Sequence, residues 1–262
     1  MAVIAVYSMK GGVGKTTLAV ELARRFAAAG RKTLLWDLDP QGGAGFLLGN
    51  GEVQRHRAAA LFQRDGKPRL LVEQTTLPNL SLLPADPSLR NLPVQLARLG
   101  SRRRLATMAT GLRSDFSRIV LDCPAGSGEI SDQVLAAADL LIVPLPASPL
   151  SSRALDMLRK ELVQYHHRHP PILPVLSMFD ARRPLHREVR EGPAASWPVI
   201  PLATHLEQLA VRHAPLEEFA PKSDAARAMR WLWAGIEAKL GELSDSGRKL
   251  HAPFSPAQAH GA

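Results

Sequence analysis

The chain has 262 residues, 45% of them hydrophobic, and a formal net charge of +9. That length and apolar content suit one α/β domain with a sizeable core and leave little room for a second. A single cysteine (Cys123) excludes a disulfide framework, no apolar run approaches the ~18 residues of a membrane span, and no signal-like start is seen, so a reducing cytoplasm is expected, while the positive balance points to a polyanion partner.

The first strand is expected over Val3–Tyr7 and the first helix over Thr16–Ala29. Between them, Lys10 to Thr17 read K-G-G-V-G-K-T-T. Strand, glycine-rich turn, Lys-Thr and helix is the construction that holds a nucleotide triphosphate. Gly11, Gly12 and Gly14 let the backbone curl so that N–H groups point at phosphate oxygens, and the helix N-terminus adds partial positive charge. Lys15 then reaches the β/γ-phosphates and the Thr16 hydroxyl ligates Mg²⁺, with Val13 and Thr17 completing the cradle. Met9 stands where the common phosphate loop has its first glycine, and Lys10 adds a second lysine at the front.

The second strand, Thr33–Asp37, runs into Leu38-Asp39-Pro40-Gln41-Gly42. Carboxylates at a strand's carboxyl end beside a phosphate loop suit metal-bound waters or the attacking water. Residues 49–76 read as an irregular insertion with one short helix. A strand over Leu80–Pro84 and a helix over Leu92–Leu112 follow, then a strand over Arg118–Leu121 that delivers Asp122, the Walker B arrangement for holding Mg²⁺ through water. Cys123 reads as a small buried side chain. A helix over Ile130–Ala137, a strand over Leu140–Pro144 and a helix over Ser151–Arg168 come next. His166, His167 and His169 near that helix's end suit its dipole better than a metal, since no acid or Cys completes a set. Strands over Ile172–Ser177 and Pro198–Pro201, and helices over His205–His213 and Ser223–Leu243, finish an expected domain of residues 1–243; residues 244–262 read as a disordered tail. The alternation implies a mostly parallel, doubly wound α/β sheet with helices on both faces.

With its leading lysine, the loop resembles that of the ParA/MinD family of P-loop ATPases, whose deviant form is K-G-G-x-G-K-[ST]. Asp37-Leu38-Asp39-Pro40-Gln41-Gly42, Asp122-Cys123-Pro124, and the runs Ala138–Pro144 and Leu176–Asp180 continue the resemblance, which spans roughly residues 1–242. It implies that Lys10 reaches across an ATP-sandwich homodimer to the partner's nucleotide. It also implies that Asp39 positions the hydrolytic water, with Asp37 supporting the metal shell, and that the loop Gly126-Ser127-Gly128 senses the γ-phosphate. Backbone near Ser177 and Met178, with the Pro201 loop, would meet the adenine; Leu202-Ala203 departs from the family's Arg-Asn there.

The family's ATP-bound dimers bind DNA without sequence preference. Two basic clusters are candidates: Arg98, Arg102, Arg103, Arg104, Arg113 and Arg118, and Arg182, Arg183, Arg187 and Arg190. The second is assigned to DNA. A nucleoid-associated partition or positioning switch working with a cargo adaptor or centromere-binding protein is thus expected. A MinD-like membrane regulator is the alternative, but the last long helix, with Met229, Trp231, Leu232, Trp233, Ile236 and Leu240, aligns with a core helix. A metabolic ligase of the cobyrinate-synthase type is expected to need a substrate domain this length hardly allows.

Overall fold

The computed structural model describes residues 1–50, 58–63, 65–126, 128–165 and 169–245. The first strand, β1 (Ala2–Val6), is buried along its whole length. Its side chains alternate: Val3 and Ala5 join one apolar cluster, Ala2, Ile4 and Val6 another. Two clusters on two faces mean a sheet covered on both sides. The other strands are β2 (Thr33–Asp37), β3 (Glu73–Gln74), β4 (Leu80–Leu83), β5 (Arg118–Asp122), β6 (Leu140–Pro146), β7 (Ile172–Phe179) and β8 (Val199–Pro201). They form one sheet in the order β3-β4-β2-β5-β1-β6-β7-β8, parallel except for the β3–β4 pair.

The helices are α1 (Lys15–Ala28), α2 (Gly43–Leu47), α3 (Leu92–Leu99), α4 (Arg104–Gly111), α5 (Glu129–Ala137), α6 (Pro149–Tyr165), α7 (Pro184–Glu191), α8 (Thr204–Glu207), α9 (Leu209–Arg212), α10 (Leu216–Phe219) and α11 (Asp224–Asp245). One face of the sheet carries α1, through Leu18, Leu22 and Phe26, and α11, through Met229, Leu232 and Ile236. The other carries α3 to α6, through Leu96, Leu105, Val134 and Leu158 among others. The fold is thus the expected doubly wound α/β sandwich.

All seven expected strands are present, and the departures have local causes. The helix expected over Leu92–Leu112 is two, because Gly100 takes φ 63 and ends α3 in a left-handed cap. The helix expected over His205–His213 is likewise α8 and α9, ended by His213 at φ 51. The final helix runs two residues past its expected end, to Asp245. Within residues 49–76, the described part is not merely a surface excursion. A 3₁₀ turn, Ala58–Phe62, buries Phe62 against Trp36 with ring centroids 6.3 Å apart, and β3 pairs with the sheet. Residues 51–57, the loop residue Ser127, His166, His167 and Arg168, and the expected tail from 246 lie outside the described residues.

Candidate nucleotide site

The chain leaves β1 at the carboxyl edge of the sheet and curls before entering α1. Gly12 has φ 69, and Gly14, the N-cap of α1, has φ 86 and ψ 24. Side chains rarely adopt these left-handed angles, so the curl needs glycine there. Gly11 and Gly12 are exposed, leaving the loop's amides open to a ligand. Lys15 lies buried in the first turn of α1, and its ammonium donates to the Lys10 carbonyl at 3.2 Å. The Lys10 amide donates to Ser8 Oγ at 3.2 Å, and its ammonium to Ser151 Oγ at 3.5 Å. Ser148 Oγ accepts from the Ser151 amide at 3.2 Å, so this pair also caps the start of α6. Sequence reasoning missed both serines, although serine before a proline-led helix is a capping signal.

The three carboxylates meet because β5 lies between β2 and β1. Asp122 is in register with Val6 on one side and Asp37 on the other. Asp37 is buried, and its oxygens accept from the Asp39 amide at 2.9 Å and the Ala44 amide at 3.0 Å. It therefore shapes the turn that presents Asp39 and pins the first residues of α2. Asp39 is half-buried and accepts from the Gln41 amide at 3.0 Å. Asp122 is 0% exposed, yet neither of its oxygens has a hydrogen-bond partner among the described residues. Burial raises its pKa to about 7, with Asp39 adding to the rise and the nearby Thr16 hydroxyl and Lys15 ammonium opposing it. Burial, then the Asp122 charge, also lifts Asp37 well above the carboxylate range. Two buried acids on neighbouring strands, whose net environment still raises both carboxyls, form a site short of positive charge. A hard divalent cation held by Thr16 and Asp122 fits that deficit.

Beside the loop, a largely apolar cavity of about 150 Å³ opens between Val13 and Thr17 on one side and Ser177, Met178 and Pro201 on the other. Sequence reasoning named these five; it missed Leu206, Glu207 and Met229, which come from distant segments. Met178 takes φ 53 where β7 slips register against β8, turning the strand end around the cavity. Ser177 Oγ is buried in this wall without a hydrogen-bond partner among the described residues. The cavity suits a flat, mostly apolar ring with a few polar edges.

The arginines assigned to DNA are all engaged within the chain. Arg182 makes a two-pronged pair with Asp180 (2.9 Å to each oxygen), and Arg183 approaches Asp180 at 3.5 Å. These contacts hold the Asp180 carboxyl far below the usual range. Arg187 donates to the Ala181 carbonyl at 2.8 Å, and Arg190 to the carbonyls of Ala194 at 2.8 Å and Trp197 at 3.3 Å. Arg190 thus fastens the loop between α7 and β8. Arg118, grouped with the other basic cluster, is a structural residue, paired with Glu237 at 2.8 and 2.9 Å. Cys123 is buried, and burial pushes its thiol well above the usual range, which excludes a poised nucleophile. His169 lies against the Pro170 carbonyl at 3.0 Å, and among the described residues no group of three or more His, Cys, Asp or Glu side chains is placed to hold a metal ion.

A glycine-cornered phosphate loop, acids at the ends of the flanking strands and a ring-sized cavity define a P-loop nucleotide-binding protein. A family model described as an AAA domain matches residues 1–174. The chromosome partitioning protein ParA of Myxococcus xanthus (strain DK1622) is 34% identical over 197 residues, 72% of this chain and 69% of that protein. The chain belongs to the ParA/MinD family of P-loop ATPases. Among solved structures, apo McdA of Cyanothece has the same fold, with a TM-score of 0.76 at 24% identity over 88% of this chain and 97% of that one. Cobyrinic acid a,c-diamide synthase of Mycobacterium smegmatis, with bound ADP and magnesium, has a TM-score of 0.71 at 29% identity over 98% of this chain and all of that one. Length alone therefore does not exclude a synthase of that kind, since that solved chain is matched end to end.

Proposed function

We propose that this chain is a Mg²⁺-dependent ATPase switch. Two ATP-loaded copies pair face to face, bind duplex DNA without sequence preference, and partition or position a cargo: a plasmid, a chromosome or a protein assembly. The observation that carries this reading is Asp122: wholly buried, with only the Thr16 hydroxyl and the Lys15 ammonium favouring its charge among the described residues, and set between the phosphate-loop strand and the Asp37–Asp39 strand. The likeness to a chromosome partitioning protein supports the DNA-directed task.

When bound, Mg²⁺ supplies the positive charge that neutralises the phosphates. Thr16 and Asp122 would hold it, and Asp37 would serve it indirectly by fixing the turn that carries Asp39. Lys15 exchanges the Lys10 carbonyl for phosphate oxygens. Asp39 orients the attacking water. The amine of Lys10 leaves its long 3.5 Å contact with Ser151, an inexpensive exchange, to reach the partner copy's nucleotide. Hydrolysis is slow and is stimulated by a cargo adaptor or centromere-binding protein, on the nucleoid in the cytoplasm. The membrane alternative loses support because α11 buries Ala225, Met229, Leu232, Ile236 and Leu240, leaving Trp231 as its lone strongly exposed large apolar residue.

The test is an Asp39→Ala variant beside Lys15→Ala. Asp39→Ala should bind ATP, lose roughly 10²-fold or more in turnover and accumulate as a dimer that shifts arbitrary duplex DNA. Lys15→Ala should bind no nucleotide. An Asp39→Ala protein that stays monomeric with ATP refutes the role of Asp39. A second reading, an ATP-using amide-forming enzyme, is favoured by the end-to-end match to the solved synthase; it requires that no ATP-dependent DNA shift occur.

A further inference from the structure

Residues 87–114 carry six arginines (Arg90, Arg98, Arg102, Arg103, Arg104 and Arg113) and no Asp, Glu or Lys. That is a charge of +6 in a short stretch of a chain whose net charge is +9. The left-handed turn at Gly100 folds the stretch into an elbow between α3 and α4. Arg98 ends α3 on one side of the turn, and Arg102 and Arg103 precede α4 on the other. Arg113 lies just past the far end of α4, about 15 Å from Arg103 at 1.5 Å per residue. Arg98, Arg102, Arg103 and Arg113 are exposed, and none of their guanidiniums has an ion pair or hydrogen bond among the described residues. The contrast is with Arg182, Arg183, Arg187 and Arg190, each committed to Asp180 or to backbone carbonyls. The two clusters are also separate surfaces. The elbow connects β4 to β5 and α7 follows β7, three to five strand spacings away along the sheet, or roughly 14–24 Å.

We propose that the α3–α4 elbow, through Arg98, Arg102, Arg103 and Arg113, is the surface that meets the phosphates of duplex DNA; this rests on the DNA-binding reading above. Exposed unpaired guanidiniums lose no internal partner on binding, and a 15 Å row faces roughly nine phosphate charges of a duplex. The same stretch contains no Phe, Tyr or Trp. It therefore lacks the rings on which single-stranded bases stack, which favours the duplex backbone over a single strand.

The experiment compares full-length wild type, Arg98→Gln/Arg102→Gln/Arg103→Gln/Arg113→Gln, and Arg182→Gln/Arg183→Gln/Arg187→Gln, each with ATP and Mg²⁺. Binding to an arbitrary duplex is measured across a salt series, with ATP-dependent dimerisation and melting temperature as controls. The elbow variant should lose roughly tenfold or more in affinity, with a salt slope shallower by ~0.9 per contact removed, while dimerising and melting as wild type does. The α7 variant should stay within about threefold of wild type. An elbow variant that binds as wild type does, or an α7 variant that loses as much, overturns the assignment. So does wild type that sediments with phosphatidylserine vesicles through these arginines while ignoring duplex. If wild type shifts no duplex at all, the DNA-binding reading falls first and takes the elbow's role with it.

Discussion

Replacing Asp122 by Asn should stabilise the nucleotide-free protein while removing a carboxylate from the proposed metal site. The group's ordinary pKa is 3.8 and burial raises it to about 7 in the folded chain. The sign follows from proton binding. Well below pH 4 the carboxyl is neutral whether folded or unfolded and contributes nothing. Between pH 4 and 7 the folded chain keeps a proton the unfolded chain has lost. Above pH 7 both are ionised and the folded chain bears the whole penalty of a buried charge. The interval from 3.8 to about 7, at 1.36 kcal/mol per pH unit, makes that penalty about 4 kcal/mol at pH 8. Asn keeps the shape and drops the charge, and it also removes the Asp122 repulsion that raises Asp37. At roughly 2–4 °C per kcal/mol, the variant should melt about 10 °C higher at pH 8 in EDTA without nucleotide. At pH 4 the gain should shrink to under about 1 kcal/mol. Differential scanning calorimetry at both pH values, with and without Mg²⁺ and ATP, measures all of this. Wild type should gain stability from Mg²⁺ with ATP, and the variant should lose the metal-dependent part. An Asn variant that melts at or below wild type at pH 8, or whose advantage survives undiminished at pH 4, refutes the reasoning.

Arg24→Met should cost about 3–5 kcal/mol in urea unfolding, because it strands the buried Glu21. The lost guanidinium bonds Glu21 at 2.8 Å and the carbonyls of Leu47, His213 and Ala214 at 2.9–3.0 Å, tying α1 to the end of α2 and the chain after α9; a loss under about 1 kcal/mol contradicts this. Phe62→Ala should cost about 3–5 kcal/mol by the same assay, since Phe62 is 2% exposed against Trp36. A near-neutral result would return residues 58–62 to the surface. Met178→Gly should raise stability by up to about 1 kcal/mol by relieving φ 53, and weaken adenine-nucleotide binding because Met178 walls the cavity; unchanged affinity by calorimetric titration argues against the cavity as the base site.

What the sequence discloses depends on whether a signal is contiguous. The strands are legible because runs such as Leu34-Leu35-Trp36 and Ile119-Val120-Leu121 are apolar on both faces, which only a sheet sandwiched between helix layers tolerates. The phosphate loop, Asp37 with Asp39, and Asp122 are legible because each motif sits in one short segment at a strand end. By contrast α2 is nearly illegible: Gly43-Ala44-Gly45 is a poor helix former, and the side chain of Asp37 holds its start. β3, two residues long, has no period to read. The cavity's far wall depends on Leu206 and Met229 lying beside Val13, a contact that no local pattern announces.

The arginines show the same limit most sharply, because sequence counts charges and only the fold says which are spent. Arg118 stands in a basic run, yet its partner, Glu237, is 119 positions away. Arg182 has its acid two residues off, and the two meet in a turn closed by the Arg183 amide on the Asp180 carbonyl at 3.1 Å. Clustered arginines make both segments candidates for a phosphate backbone, although Asp180, Glu188 and Glu191 offset most of the second's charge. The two differ in availability as well. A guanidinium already paired with a carboxylate must surrender that bond to gain one to phosphate, and the exchange contributes little. The unpaired guanidiniums of the elbow exchange only water and released counterions, which is where the electrostatic free energy of duplex binding arises.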